Sequence, residues 1–278
     1  MPTTFAKVPI EEVRAYWDAR PCNIRHSRQE VGTREYFDEV EARKYFVEPH
    51  IPGFAQFDRW AGKRVLEIGC GIGTDTINFA RAGATVTAVD VSPRSIEIAQ
   101  ARAVTYGLQD RITFVSGNAE ALPELIGPAE FDLIYSFGVI HHTPHVEQVV
   151  AHISRYLAPG GTVKLMVYHR RSWKVLGIFL RSGRGRFWKL DALIARASEA
   201  QTGCPVTYSY TRRTIRELLE ANGLHVVACE VEHIFPWRIA DYVEYRYVKA
   251  WPFRWLPDSV FHRLERALGW HLCVTATR

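Results

Sequence analysis

Short apolar runs alternate with amphipathic stretches through the middle of the chain, and this rhythm sets out the elements. Strands are expected at 65–68, 85–89, 111–115, 131–136, 162–168, 224–230 and 272–276. Helices are expected at 74–81, closed by Gly83, and at 92–106, closed by Gly107. The second opens on Ser92-Pro93, a serine N-cap followed by proline in the first turn. Further helices are expected from about 146 to 157 and from 211 to 221, with a Pro159-Gly160-Gly161 turn between the first of these and the fifth strand. Strands alternating with helices imply an α/β fold: a mostly parallel sheet covered on both faces. Ligands in such sheets lie beyond the carboxyl ends of the strands, and the glycine turn, Asp90, Asn118 and Ser136 all fall at such ends. Three stretches stand outside the pattern: 1–60, about 170–210 and about 233–269. They are rich in aromatic residues, arginine and proline, and are expected to cap the ligand edge. The organisation expected is a cap segment over 1–60 and one catalytic domain over 61–278 that carries the other two insertions.

Composition narrows this picture. With 47% hydrophobic and 23% charged residues, the 278-residue chain can bury a core and is not a disordered polymer. Apolar runs such as 175–180 fall far short of the ~20 residues of a membrane span. The first residues show no long apolar stretch, so no signal peptide is expected and a cytoplasmic location is. The five cysteines are scattered, with no C-x-x-C pair, which argues against a zinc knuckle or a disulfide framework. The net charge of +5 is uneven: residues 161–216 hold twelve Lys and Arg against Asp191 and Glu199, a local +10 that leaves −5 elsewhere. Such a segment suits a solvated helical face, an anion clamp, a membrane surface or RNA. No dedicated RNA-binding module accompanies it, which argues against nucleic acid.

The stretch RVLEIGCGIGTDT, residues 64–76, supplies the first chemistry. Gly69, Gly71 and Gly73 let backbone approach a ligand, and the helix that follows presents free N–H groups. A dinucleotide fingerprint G-x-G-x-x-G needs its third glycine where Thr74 stands. Glu67, two residues before the first glycine, would repel a pyrophosphate but suits an amine or sulfonium. Asp90, seventeen residues past Gly73, can accept both hydroxyls of a ribose. The expected ligand carries ribose and cationic groups and lacks a pyrophosphate.

VLEIGCGIG, VTAVDVSP, VSGNAEALP and FDLIYSFGVIHHTP, in that order, resemble the successive motifs of the class I S-adenosylmethionine-dependent methyltransferases. The HHTP variant resembles the branch that includes ubiquinone- and menaquinone-pathway enzymes. The resemblance is strong over about 60–168 and weak over 211–230 and 270–278. It implies a Rossmann-like fold with a seven-stranded sheet, and S-adenosyl-L-methionine as cofactor with S-adenosyl-L-homocysteine as product. It places Glu67, Gly69, Gly71 and Gly73 along the methionine part, Asp90 at the ribose, Asn118 and Ala119 at the adenine with Glu120 close by, and Ser136 and Phe137 at the sulfonium end, with Cys70 and Val91 also in contact with the cofactor. For Asn118 and Glu120 a loop-to-helix cap is the alternative.

Methyl transfer leaves the protein to align the reactants, exclude water and remove a proton. His141 and His142, past the fourth strand, are the candidate bases; packing on the cofactor or capping the next helix is the alternative. His145 is expected at the surface, and with no carboxylate among the three no metal site is assigned. Tyr168 and His169 at the end of the fifth strand are candidates for substrate contact or an alternative base, and Tyr16, Trp17 and Arg20 near the N-terminus are candidate substrate contacts. Trp270 and His271 read as packing. The motif N/D-P-P-Y, which relatives acting on exocyclic nitrogens carry after the fourth strand, is absent. The aromatic insertions fit a planar or apolar acceptor, and oxygen is favoured over nitrogen or carbon as the atom methylated. An RNA methyltransferase and a cofactor-binding protein without turnover are the rival functions, and a homodimer seam is the rival use of the exposed aromatic insertions.

Overall fold

The sheet is built from runs whose alternate side chains feed two separate cores. The computed structural model describes residues 4–183, 185, 187–199, 203–233, 235–242, 244–251 and 253–278. Three helices come first: α1 (Ile10–Ala19), α2 (Arg34–Val47) and α3 (Ile51–Ala55). The alternating unit follows as β1 (Arg64–Ile68), α4 (Thr74–Arg81), β2 (Thr85–Asp90), α5 (Pro93–Thr105), β3 (Ile112–Ser116), α6 (Leu122–Ile126), β4 (Phe131–Phe137), α7 (Val146–Tyr156) and β5 (Leu157–Tyr168). Then come α8 (Trp173–Ile178), α9 (Leu190–Ala197), α10 (Arg212–Glu220), β6 (His225–Glu232), α11 (Ile239–Tyr242), α12 (Asp258–Leu268) and β7 (His271–Thr277).

The seven strands are ordered β3-β2-β1-β4-β5-β7-β6, with β7 antiparallel to both neighbours and the rest of the pairs parallel. The order reverses between β1 and β4, so the carboxyl ends of these two strands open the crevice where such sheets bind ligands. In β1, Leu66 and Ile68 enter one core with Val149, Val150 and Ile153 of α7 and Ile215 and Leu218 of α10. Val65, one residue out of phase, enters the other with Ile77 and Phe79 of α4. The fifth strand starts earlier than its apolar run: Phe131 pairs with Leu157 and Leu133 with Thr162, so the Pro-Gly-Gly turn becomes an irregularity inside the strand. The helix α5 starts as the sequence pattern implies, with the Ser92 hydroxyl accepting from the Ser95 N–H and Pro93 in the first turn.

The stretch before β1, expected only as a cap, contains α2, whose Tyr36, Phe37 and Val40 pack with Ile72 and Ile98. Arg102 of α5 secures it. This side chain is 0% exposed and donates to Thr74 Oγ1 at 2.7 Å, to the Phe37 carbonyl at 3.1 Å and to Glu41 Oε2 at 3.0 Å. A buried cation held by three acceptors is costly to orphan. Replacing Arg102 by Ala empties a fully buried side chain and takes the donor from Thr74 and the Phe37 carbonyl, while Glu41 keeps Arg81; stability is expected to fall by about 2–5 kcal/mol. Urea unfolding of the two proteins measures this; a loss under about 1 kcal/mol would mean that α2 is not held in this way.

Candidate active site

The turn after β1 bends back under a clamp of backbone and carboxylate. The N–H of Gly69 donates to the Val89 carbonyl at 2.7 Å. Asp90, at the end of β2, accepts from the Gly71 N–H at 2.8 Å through one oxygen and from the Ser92 N–H at 2.9 Å through the other. Gly69 has φ +80°, and a Cβ there would lie 2.2 Å from a methyl of Val139, so glycine is required by both backbone and space. Gly71 has φ +52°, and a Cβ on it would have only Cys22 nearby, at 3.9 Å. The space above that peptide is therefore open.

That space is one cavity of about 1000 Å³. Its walls include Gly69, Cys70, Gly71, Asp90, Val91, Ala119 and Phe137 toward the turn. At the other end stand Trp17, His142, Tyr168, Lys174, Glu199 and Trp270. Tyr168 stacks on Trp270 with centroids 4.1 Å apart, and Lys174 places its ammonium 4.6 Å over the same indole. The edge of Trp17 meets the His142 ring at 5.3 Å.

The family comes from the sequence itself. Residues 40–229 match the family model described as a methyltransferase domain, and the chain belongs to that family, whose cofactor is S-adenosyl-L-methionine. An uncharacterized methyltransferase of Synechocystis sp. is 31% identical over 54% of this chain and 64% of its own length. The ubiquinone biosynthesis O-methyltransferase of Paracidovorax citrulli is 37% identical over 40% of this chain and 46% of its own length. The chain thus spans from under half to just under two thirds of these two relatives. Magnesium protoporphyrin IX methyltransferase from Synechocystis, solved with bound S-adenosylhomocysteine, superposes with a TM-score of 0.60 at 16% identity, covering 97% of this chain and all of that one. It shares the fold: α/β, Rossmann-like, with a mostly parallel seven-stranded sheet.

Most of the remaining residues singled out in the sequence lie around the cavity rather than on its wall. Glu67 is buried behind the turn and accepts from the Thr76 hydroxyl at 2.5 Å. Gly73 begins α4. Asn118 caps the turn that follows it by accepting from the Glu120 N–H at 3.0 Å. The Glu120 carboxylate accepts from the Thr143 hydroxyl and, at 2.9 Å, from the His145 N–H, so it shapes the histidine loop. Ser136 donates to the Ile68 carbonyl at 2.9 Å and joins β4 to β1. His141 is buried with its ring 4.0 Å from Tyr168, and His145 is half-buried at the start of α7. His169 is buried with Nδ1 3.1 Å from the Gly269 carbonyl. Tyr16 packs edge-on to Trp17 and carries Arg20 over its ring, outside the cavity. Trp270 and His271 pack as expected and also line the cavity.

Several wall residues carry no sequence signal of their own. Lys44 of α2 reaches Asp75 at 2.8 Å, and Tyr45 and Tyr135 donate to the same carboxylate at 3.0 and 2.9 Å. Glu48 ends the same helix, and burial pushes it up to about 7 despite the pull of Lys44. Glu199 follows α9; only its rarity among the charges of 161–216 marks it. Its Oε1 takes the Tyr168 hydroxyl and lies 3.6 Å from His142 Nε2. Burial raises Glu199, yet the His142 and Tyr168 side chains outweigh it and bring it down to about 2. Among the described residues no group of three or more His, Cys, Asp or Glu side chains could hold a metal ion.

Glu67 gives a sharp pH prediction. Burial, then the Asp75 charge, push it from 4.5 up to about 8, against the hydrogen bond from Thr76 and the pull of Lys44. An acid raised in the folded state binds more protons there than when unfolded, so stability falls as pH rises between about 4.5 and 8. Glu67→Gln removes that proton uptake. Its stability relative to the parent is expected to improve steadily from pH 5 to pH 8, read by denaturant midpoints; parallel curves would mean that Glu67 is not raised.

Proposed function

We propose that the protein transfers the methyl group of S-adenosyl-L-methionine to an oxygen of a small aromatic or polyketide-like acceptor. The observation that carries this reading is the continuity of one cavity from the glycine turn to the aromatic end. One end offers bare backbone and a carboxylate; the other offers aromatic side chains and an imidazole. Asp90 fits the ribose, because each of its oxygens accepts one backbone N–H and keeps a lone pair. Gly69, Cys70 and Gly71 would hold the methionine part, with Glu67 behind them, and Val91 and Ala119 lie toward the nucleoside. When bound, the cofactor supplies an electrophilic methyl on a sulfonium. The protein's own work is then to orient, to dry the site and to move a proton.

Trp17, Tyr168 and Trp270 give that end of the cavity an apolar aromatic wall, against which a planar acceptor packs and from which water is excluded. His142 is the proton acceptor. Its Nδ1 lies 2.8 Å from the Val206 carbonyl, which can only accept, so Nδ1 carries hydrogen and Nε2 is the nitrogen left to take the acceptor's O–H proton. Burial lowers the basicity of this imidazole, but the side chains of Cys204 and Glu199 beside it outweigh burial and raise it to about 10, so the imidazole is largely protonated at neutral pH. The basic form therefore grows with pH, and turnover is expected to climb across the neutral and mildly alkaline range. The ubiquinone-pathway relative is an O-methyltransferase by name, which supports oxygen as the acceptor atom.

The basic segment fits the small-molecule reading better than RNA. Lys164 donates to the Phe54 carbonyl at 2.6 Å, Arg170 pairs with Asp191, and Lys174 donates to the Ser198 carbonyl at 2.7 Å. Arg213 and Arg216 pair along α10 with Glu217 and Glu220. Arg184 and Arg186 lie outside the described residues. The charges of Lys164 and Lys174 are committed inward, and those of Arg213 and Arg216 are matched by acids at the surface, which leaves less net charge for phosphates.

Calorimetry tests the reading. The protein is expected to bind S-adenosylhomocysteine and to ignore a nicotinamide dinucleotide; the reverse preference would overturn it. Asp90→Asn should weaken that binding roughly tenfold to a hundredfold, the ~1.5–3 kcal/mol of hydrogen bonds to a charged group. His142→Ala should leave it unchanged and cut methyl transfer to a phenol or enol panel by about 10²–10⁴.

A further inference from the structure

Resting on the methyl-transfer reading, we propose that Glu199 is a positioning residue. Its carboxylate aligns His142 and Tyr168, so that the acceptor end of the cavity depends on a charge that neither the histidine loop nor β5 supplies. The juxtaposition is specific. One oxygen, Oε1 of Glu199, takes the Tyr168 hydroxyl and faces His142 Nε2 at 3.6 Å. That gap is within ion-pair range but longer than a hydrogen bond. Nε2 is buried and, among the described residues, has no hydrogen-bond partner. The direction of this nitrogen is fixed from behind, and the charge of the protonated ring is matched by a carboxylate beside it.

The segment between β5 and α10, which carries Glu199, grips the imidazole from its other side. Besides the Val206 carbonyl, Thr207 Oγ1 lies 3.3 Å from His142 Nδ1, and the Ser198 and Thr207 hydroxyls are 3.1 Å apart. The backbone is clamped as well: the Tyr208 N–H donates to the His141 carbonyl at 2.8 Å, and the Tyr208 hydroxyl to the Pro144 carbonyl at 3.2 Å. On β5, the Tyr210 N–H donates to the Tyr168 carbonyl at 2.8 Å. The histidine loop and the strand end are thus stitched to one stretch of chain.

The groups facing His142 are few. His141 comes from its own turn, with the rings 4.2 Å apart, Tyr168 from β5 and Trp17 from α1. Cys204 and Glu199 come from the cap segment. Lys174 of α8 acts on Glu199, while Cys22 and Glu48 act on Glu199 and Tyr168 from across the cavity. Burial lowers the imidazole's affinity for a proton, and Glu199 is one of the two groups that reverse the balance. Tyr168 competes for the same carboxylate oxygen. Deleting its hydroxyl should therefore leave Glu199 freer to serve His142, whereas deleting the charge of Glu199 should abandon it.

The test is the titration of the His142 imidazole followed by heteronuclear NMR in the parent protein, Glu199→Gln, Glu199→Asp and Tyr168→Phe, with S-adenosylhomocysteine present. Gln keeps the shape and can still accept from Tyr168, so it isolates the charge. Its His142 midpoint is expected to fall by about one pH unit or more, the size of a specific charge partner's effect. Asp should restore part of the shift, and Tyr168→Phe should hold or raise the midpoint. A His142 midpoint unmoved in Glu199→Gln, or lowered equally in Tyr168→Phe, overturns the proposal. Should Gln fail to fold, the Asp and Phe variants decide the same question through the opposite signs expected of them. Failure of the parent to bind S-adenosylhomocysteine would instead strike the methyl-transfer reading, because the titration reads Glu199 whether or not the cofactor is held.

Discussion

The two backbone hydrogen bonds accepted by Asp90 are the constraint on which the rest of the site depends. One reaches back to the turn after β1, the other forward to the start of α5. A single carboxylate thereby fixes the separation between two loops that come from neighbouring strands. The linkage continues outward: the Ser92 hydroxyl donates to Asp18 at 2.9 Å, and the Arg94 N–H donates to the same oxygen at 3.0 Å. Helix α1, and with it Trp17, is held over the cavity by that second acid. Those backbone and hydroxyl donors hold Asp18 below the usual carboxylate range, as an anion at a helix N-terminus should be. Floor and roof of the ligand space are thus parts of one hydrogen-bonded chain.

Buried charge is the second organising force, and it is distributed unequally. Behind the turn, Glu67, Asp75 and Lys44 share a space with more acid than base, and two tyrosine hydroxyls make up part of the difference. At the aromatic end, Glu199 stands among Lys174, His142 and the Tyr168 hydroxyl, and the balance runs the other way. Burial therefore lifts Glu67 and fails to lift Glu199, although both are carboxylates in a poorly hydrated place. The contrast follows from the neighbours and not from depth.

What could be read from the sequence was local. The three alternate glycines, the acid ending β2 and the Ser-Pro helix start each depend on a few adjacent residues, and each stands where its spacing implies. The alternation of elements likewise conveyed the sheet and its direction, except that nothing in the pattern around 272–276 says that this strand runs against its neighbours. Asn118 and Glu120 show the limit. Their place after β3 is compatible with contact to a nucleobase or with capping, and in the folded chain their side chains are engaged in shaping the next turn and the histidine loop. Lys44, Glu48 and Glu199 were silent for a different reason. Each comes from a segment whose docking is decided by tertiary contacts, so no spacing in the chain marks it. Arg102 is similar: on an amphipathic helix it reads as a surface residue, yet it is completely enclosed.

The position of β7 has a consequence for how the molecule comes together. This strand follows β6 in the chain but lies between β5 and β6 in the sheet. The β6 strand therefore has no hydrogen-bonded neighbour until a later piece of polypeptide inserts beside β5. Trp270 and His271, at the start of that inserted piece, form part of the aromatic wall. Closure over such sequence distance is slow compared with pairing of β1, β2 and β3, whose partners are close in the chain. The half of the sheet that carries the glycine turn can thus be organised before the opposite wall exists, and a chain stalled at that stage would have one end of the cavity formed and the aromatic end missing.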